Sequence, residues 1–447
     1  MAQYLSTVRG AVSLMESVPL NPLDELFLHL DHREEPWGIH FEVRIGGRFD
    51  ANRLAAAVAA AAARHPIARA RLASWRGADR GYRWEIADVL DAPLTIVDCR
   101  DEAELAAVRE RLYSVSPSLE VAPPFIVVLA RAAAGDSLLL NLHHAAGDGI
   151  GAARLVLSIL RAYAGADDPL PALDPLEARD VDALTGAATP AQRLGRKRAV
   201  WRQAADDWRA GPPARLATAG GADFPGYGFE LLALSAEETK AVIGHRTADT
   251  TLNDVLLAGL AVAIERWNLD HDRPARRIAL TMPVNLRPPE WRTEVLGNLA
   301  SYTTVSVGRG ERDDLGSALE AAGKGTRSIK EHGLAGIVVD QLRRLRTLPV
   351  AIKRTLPALI PLTGNVVVDT ASLSNLGVLD DFPWLGDDAG GVEAVWVSPP
   401  NRMPLGASFG VATLDGRLHL ALRYRRPQFD GEAAAAFARL YRAVLST

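Results

Sequence analysis

Apolar and polar residues alternate strictly over residues 39–45 (IHFEVRI), which predicts a half-buried strand. Asp50 then stands where an N-cap is needed for a helix over Ala51–Arg64, whose interior is rich in alanine. Residues 69–75 and 82–86 read as paired strands across Gly77 and Gly81, followed by a helix over Glu102–Tyr113. Two apolar strands, 125–131 and 137–143, meet at Gly135-Asp136, a hairpin signal, and a helix follows over 150–163. Between Gly165 and Gly226 the pattern breaks into Asp-Pro, Gly-Pro-Pro and Gly-Gly steps around one charged helix at 191–209. Periodicity then resumes with strands at 229–234, 278–284, 301–307, 392–397, 407–413 and 418–424. Helices are predicted at 252–267, within 315–348 and at 431–445.

This alternation predicts an α/β protein of two mixed-sheet halves. The expected division is an N-terminal lobe over 1–175, a crossing linker with one helix over 176–226, and a C-terminal lobe over 227–447.

Composition narrows the function. Of 447 residues, 48% are hydrophobic and 23% charged, enough for a sizeable core. Fifty basic residues against fifty-four acidic ones give a formal charge of −4, so no basic surplus points to nucleic acid or anionic lipid as a partner, a local basic patch aside. A single cysteine, Cys99, excludes an intrachain disulfide and a multi-cysteine metal site. No signal-peptide pattern opens the chain and no run of eighteen apolar residues occurs, so no membrane span is expected. The most apolar stretch, 356–368, is broken by Pro357, Pro361 and Gly364 and reads as buried loop or helix. The expected compartment is the cytoplasm.

The sharpest chemistry lies in residues 141–149 (NLHHAAGDG). Adjacent side chains on a strand face opposite ways, so only one of His143 and His144 can serve a given cleft. His144 shares its face with Leu142, Leu140 and Leu138 and ends at a glycine-rich turn. An imidazole desolvated there stays neutral at pH 7 and can accept a proton from an attacking amine or alcohol. The competing reading is a pair of structural histidines.

His143-His144-x-x-x-Asp148-Gly149 is the HHxxxDG motif, and by it the chain resembles the chloramphenicol acetyltransferase-like superfamily. That superfamily includes nonribosomal peptide synthetase condensation domains, polyketide-associated acyltransferases and wax ester synthases. Further segments follow in the family's order: residues 64–71 (RHPIARAR), 251–258 (TLNDVLLA), 283–287 (PVNLR) with Gly297-Asn298, and 374–377 (SNLG). The resemblance implies two acetyltransferase-like lobes arranged as a V around a central tunnel. An acyl thioester on coenzyme A or carrier-protein phosphopantetheine would meet a small-molecule amine or alcohol acceptor there. It implies no bound cofactor and no metal, with the thioester as substrate and an acyl or peptidyl carrier protein as partner. His144 would be the general base, with His143 beside it. The Gly149 N–H would donate to the oxyanion, and Asp148 would form a structural salt bridge for which Arg287 is the candidate partner. Ser374, Asn375 and Asn298 are candidates for the tunnel wall, turn chemistry beside Gly377 and Gly297 being the alternative for the asparagines.

The chain departs from the condensation-domain opening, with residues 21–30 (NPLDELFLHL) in its place, and residues 381–384 (DFPW) lack the glycines of the plant acyltransferase motif. With no adenylation or carrier domain in 447 residues, a free-standing condensation enzyme is expected. An acyl-coenzyme A-dependent alcohol O-acyltransferase and a non-catalytic carrier-binding relative are the alternatives. Gly406-x-Ser408-x-Gly410 matches a hydrolase elbow, but Ser408 and His419 fall on apparent strands with no helix after the serine. Gly149-x-Gly151 resembles a dinucleotide loop, yet Arg154 holds the position of its last glycine. His144 and Asp148 lack an evident third metal ligand, and His29, Asp31 and His32 read as surface polar residues.

Overall fold

The computed structural model describes residues 14–447, except 89, 91–93, 170–171, 186–188, 223–224, 292 and 364–367. Parts of the linker expected at 176–226, and of the apolar stretch 356–368, lie outside the described residues. The chain is mixed α/β, with two large mixed sheets and a three-stranded one.

The N-terminal sheet runs Val392–Ser398, Gly38–Ile45, Gly135–His143, Phe125–Ala132, Leu94–Asp98. All neighbours are antiparallel except the last pair. Its apolar face carries Phe41, Val43, Leu138 and Leu140 against the helices Ala51–Arg64 and Gly149–Ala164. Asp50 does cap the first of these, its side chain accepting from the Arg53 N–H at 2.7 Å. The second sheet runs Ala300–Gly308, Arg277–Asn285, Ala371–Val378, Ala407–Leu414, Arg417–Arg425, Tyr227–Ala233. Helices Leu252–Asp270, Leu315–Glu331 and Gly431–Ser446 share its core.

Strand Val392–Ser398 follows most of the C-terminal half in sequence, yet it pairs with Gly38–Ile45 in the N-terminal sheet. It also packs on the C-terminal sheet, where a Cβ at Gly410 would sit 1.8 Å from the Val397 carbonyl oxygen. That close approach accounts for the glycine in the hydrolase-like segment. Ser408 is buried near the start of strand Ala407–Leu414, donating to the Pro400 carbonyl at 2.9 Å, and His419 pairs in register with Ala412 instead. No elbow forms. Helix Pro190–Ala210 begins with a Thr189 capping box and touches the body mainly through Arg196 and Ala199. Among the described residues, no helix is long and apolar enough to cross a membrane.

Candidate active site

Strand Gly135–His143 ends where its register partner Gly38 begins the neighbouring strand. The chain then turns, the His144 N–H donating to the Trp37 carbonyl at 2.8 Å and the Ala146 N–H to the His143 carbonyl at 2.8 Å. Asp148 closes the turn as the N-cap of Gly149–Ala164, accepting from the Gly151 N–H at 2.9 Å. Strand, five-residue turn and helix start thus put two imidazoles within one residue of each other, pointing into different surroundings.

His143 turns inward. Its Nδ1 accepts from the Ala145 N–H at 3.0 Å, so its Nε2–H faces Asp31 Oδ2 at 3.5 Å. Burial opposes ionisation of Asp31, but hydrogen bonds from His143, Ser116 and the Trp37 N–H outweigh it and hold its carboxyl below the usual range. Asp31, which the sequence suggested as a polar residue at the surface, instead anchors the first histidine.

His144 turns to a cavity of about 290 Å³. A backbone carbonyl only accepts, so the Nδ1 contact to the Gly147 oxygen at 3.1 Å places the proton on Nδ1. Nε2 is then an acceptor, and the Tyr302 hydroxyl donates to it at 3.0 Å. The ring stacks on Phe27 at 3.7 Å between centroids, with Trp37 beyond. Burial among these rings lowers the His144 pKa to about 4, leaving a neutral imidazole at pH 7. The same burial pushes the Tyr302 phenol well above its ordinary value, so it stays a donor.

Behind the turn lies a fixed ionic frame. Arg287 grips Asp148 with two parallel bonds, Nη1 to Oδ2 at 2.8 Å and Nη2 to Oδ1 at 3.0 Å. It also donates to the carbonyls of Val295 and Gly297. Asp148 further accepts the Leu299 N–H at 2.8 Å, binding the turn to the stretch from 295 to 299. Asn298, a tunnel candidate on sequence, is fully buried instead. Its amide donates to the carbonyls of His144 and Ala145 and to Asp24, holding the turn from behind.

Gly149, Ser374 and Asn375 all border the cavity. As first residue of its helix, Gly149 has an N–H that the helix itself cannot satisfy. A Cβ there would meet Leu376 Cδ2 at 2.9 Å. The rest of the wall is mostly aliphatic or aromatic, including Leu26, Leu30, Ile39 and Leu373. Its charged members are paired, Asp148 with Arg287 and Arg402 with Glu35 at 3.6 Å. Among the described residues no three histidine, cysteine or acidic side chains converge to hold a metal ion.

The other matching segments serve the scaffold. His65 bonds Ser158 at 2.8 Å, its pKa lowered by burial to about 3. Asp254 completes the capping box of its helix and accepts from Thr326. Sequence reasoning missed Tyr302, Phe27 and Trp37. Only the alternation of 301–307, which puts Tyr302 on a strand face, hinted at the first.

The condensation-domain family model matches residues 16–343. Two Mycobacterium tuberculosis proteins, named only as uncharacterized proteins Rv2305 and MT2362, are each 38% identical over 439 residues, covering 97% of this chain and all of theirs. The first condensation domain of the calcium-dependent antibiotic synthetase, in complex with a substrate analogue, superposes with a TM-score of 0.71. It is 16% identical, with 97% of this chain and 96% of that one covered. The starter condensation domain of rhizomide synthetase, in complex with C8-CoA and Leu-SNAC, superposes at 0.66, with 16% identity and coverage of 96% and 94%. The chain belongs to the condensation-domain family, within the chloramphenicol acetyltransferase-like superfamily.

Proposed function

We propose that this protein is an acyltransferase that joins an acyl group from a thioester to an amine or hydroxyl acceptor. In this reading the donor is carried on coenzyme A or on the phosphopantetheine of a carrier protein. The enzyme works as a free-standing condensation enzyme of secondary metabolism in the cytoplasm. The observation that carries the reading is the Nε2 lone pair of a neutral His144, turned to an apolar cavity that Gly149 also borders.

The acceptor displaces the Tyr302 hydroxyl and passes its proton to Nε2 as its nitrogen or oxygen bonds to the thioester carbonyl carbon. The Gly149 N–H donates to the oxyanion of the tetrahedral intermediate, a contribution of ~3 kcal/mol where such donors are preorganised. The intermediate collapses with cleavage of the C–S bond, and the thiolate leaves with the proton that His144 took. Ser374 and Asn375 offer polar contacts to the pantetheine amides. The paired charges and aliphatic wall favour an uncharged acyl group.

Mass spectrometry of products from a panel of acyl thioesters and nucleophiles tests the reading, with coenzyme A and carrier-bound donors run side by side. Amide or ester product that disappears in His144→Ala is the expected result. Thioester loss at no more than the buffer rate, with carrier binding intact, would favour a non-catalytic relative.

A further inference from the structure

The helix Pro190–Ala210 is fastened to the body along one face. Arg196 pairs with Asp340 at 2.8 Å, Gln203 donates to the Thr304 carbonyl at 3.2 Å, and Asp207 pairs with Arg277 at 3.0 Å. These positions repeat at helical spacing, so the opposite face is held outward. That outward face carries Leu194, Trp201 and Trp208, each seven residues from the next and therefore nearly in line. Leu194 is 49% exposed, Trp201 76% and Trp208 88%. They form a ridge about 20 Å long at 1.5 Å per residue.

Cations flank the ridge. Lys197, Arg198 and Arg202 are exposed, and none has an ion-pair or hydrogen-bond partner among the described residues. The acidic residue beside them, Asp206, is paired with Arg209 at 2.7 Å.

We propose that this ridge seats the protein on an anionic lipid surface, with the two indoles at the headgroup level and the three free cations against lipid phosphates. Two features favour a bilayer over a protein partner. The ridge is convex and one helix wide, whereas a stable protein interface needs roughly 800 Å² from each side and a matching shape. A lipid surface needs neither, and tryptophan beside lysine and arginine is the pattern that lies in such an interface. The anchoring bonds on the inner face keep the helix from turning its indoles inward. The inference does not rest on the chemistry proposed at His144.

Co-sedimentation of the full chain with phosphatidylcholine vesicles, with and without phosphatidylglycerol, tests it. The protein should bind the anionic vesicles and leave them as salt rises, because surface charge is screened over about 10 Å at 0.1 M. Trp201→Ala with Trp208→Ala should weaken binding at least tenfold. Lys197→Gln, Arg198→Gln and Arg202→Gln together should remove the preference for phosphatidylglycerol. All five side chains are exposed, so an unchanged melting temperature verifies that the variants fold. The proposal is overturned if the native chain ignores anionic vesicles, or if the tryptophan variant binds them equally well. A mass that doubles with concentration in the native chain alone would make the ridge a self-contact and also overturn it. So would an acidic carrier protein that binds through the two tryptophans while vesicles do not.

Discussion

On one side of the 143–149 turn, charges and amides crowd together; on the other, one imidazole faces aromatic rings. The rear face holds Asp148 with Arg287, Asn298 with two turn carbonyls, and His143 beside Asp31. The front face offers His144, Tyr302 and Gly149 to a mostly apolar cavity. Polar groups are costly to bury unless satisfied, so the rear face is where hydrogen-bonding capacity is used to fix geometry. The front face is desolvated, which keeps the imidazole neutral, and its Nε2 lone pair is covered only by a hydroxyl that an acceptor can displace. Rigidity and reactivity are thus separated across a single turn.

The largest effect that would sharpen this contrast is loss of His144. In His144→Ala, kcat/KM should fall by about 10² to 10⁴, the usual contribution of a positioned base. Stability in urea should fall by no more than about 2 kcal/mol, since what is lost is stacking on Phe27, one bond to Gly147 and one from Tyr302. If stability falls further than rate, the front face is scaffold after all.

The rear face should respond in the opposite sense. Asp148→Ala strands the Arg287 guanidinium, whose side chain is fully buried, and breaking such a pair costs about 3–5 kcal/mol. Arg287→Ala should cost a similar amount, and the double variant less than the sum, because one buried charge no longer awaits the other. Denaturation curves read this directly. Asp148→Ala at native stability with slowed turnover would move the aspartate to the reacting face.

How far the site was legible follows the same division. Strand-helix alternation sufficed for the hairpin 125–143 and the capped helix at Ala51–Arg64, since local pattern and capping decide those elements. Strand Leu94–Asp98 is mostly exposed and Ala371–Val378 carries serines, asparagine and glycine, so neither shows a clear apolar period. Helix Pro22–Leu30 was missed although its Asn21-Asp24 capping box is written in the sequence. In the site, the turn itself was legible because its residues are contiguous. Asp148 and Arg287 stand 139 positions apart, and only the resemblance suggested joining them. Tyr302 meets His144 across 158 positions, and no local pattern encodes a contact between two sheets. Asn298 beside a glycine read as wall or turn, but its NH2 donates inside, to two turn carbonyls and the Asp24 carboxylate.

A smaller perturbation probes the edge between the two faces. Gly149→Ala puts a methyl 2.9 Å from Leu376 Cδ2, so that side chain must leave its rotamer, at about 0.5–1.5 kcal/mol. Turnover should fall up to about tenfold as the helix start shifts by a few tenths of an ångström. Adding Leu376→Ala should restore most of it. Failure of that rescue would place the loss in the Gly149 backbone itself.

The smallest change has the most to say about the front face, because Tyr302 occupies the lone pair that the proposed chemistry needs. A net hydrogen bond is worth about 0.5–1.5 kcal/mol. Tyr302→Phe should therefore lower the KM for the acceptor by about two- to tenfold while kcat stays close to native. Protonation of Nε2 is disfavoured by the burial of the ring among Phe27, Trp37 and Tyr302. Native His144 is neutral above about pH 4, so activity should hold on acidification and fall only as pH drops through that value. In Tyr302→Phe the acid limb should stay near that value, because the burial that depresses the imidazole remains. If instead kcat collapses with the acceptor KM unchanged, the phenol is relaying the proton from acceptor to imidazole. The front face would then contain two reacting groups, one from each sheet, in place of a single base with a removable cap.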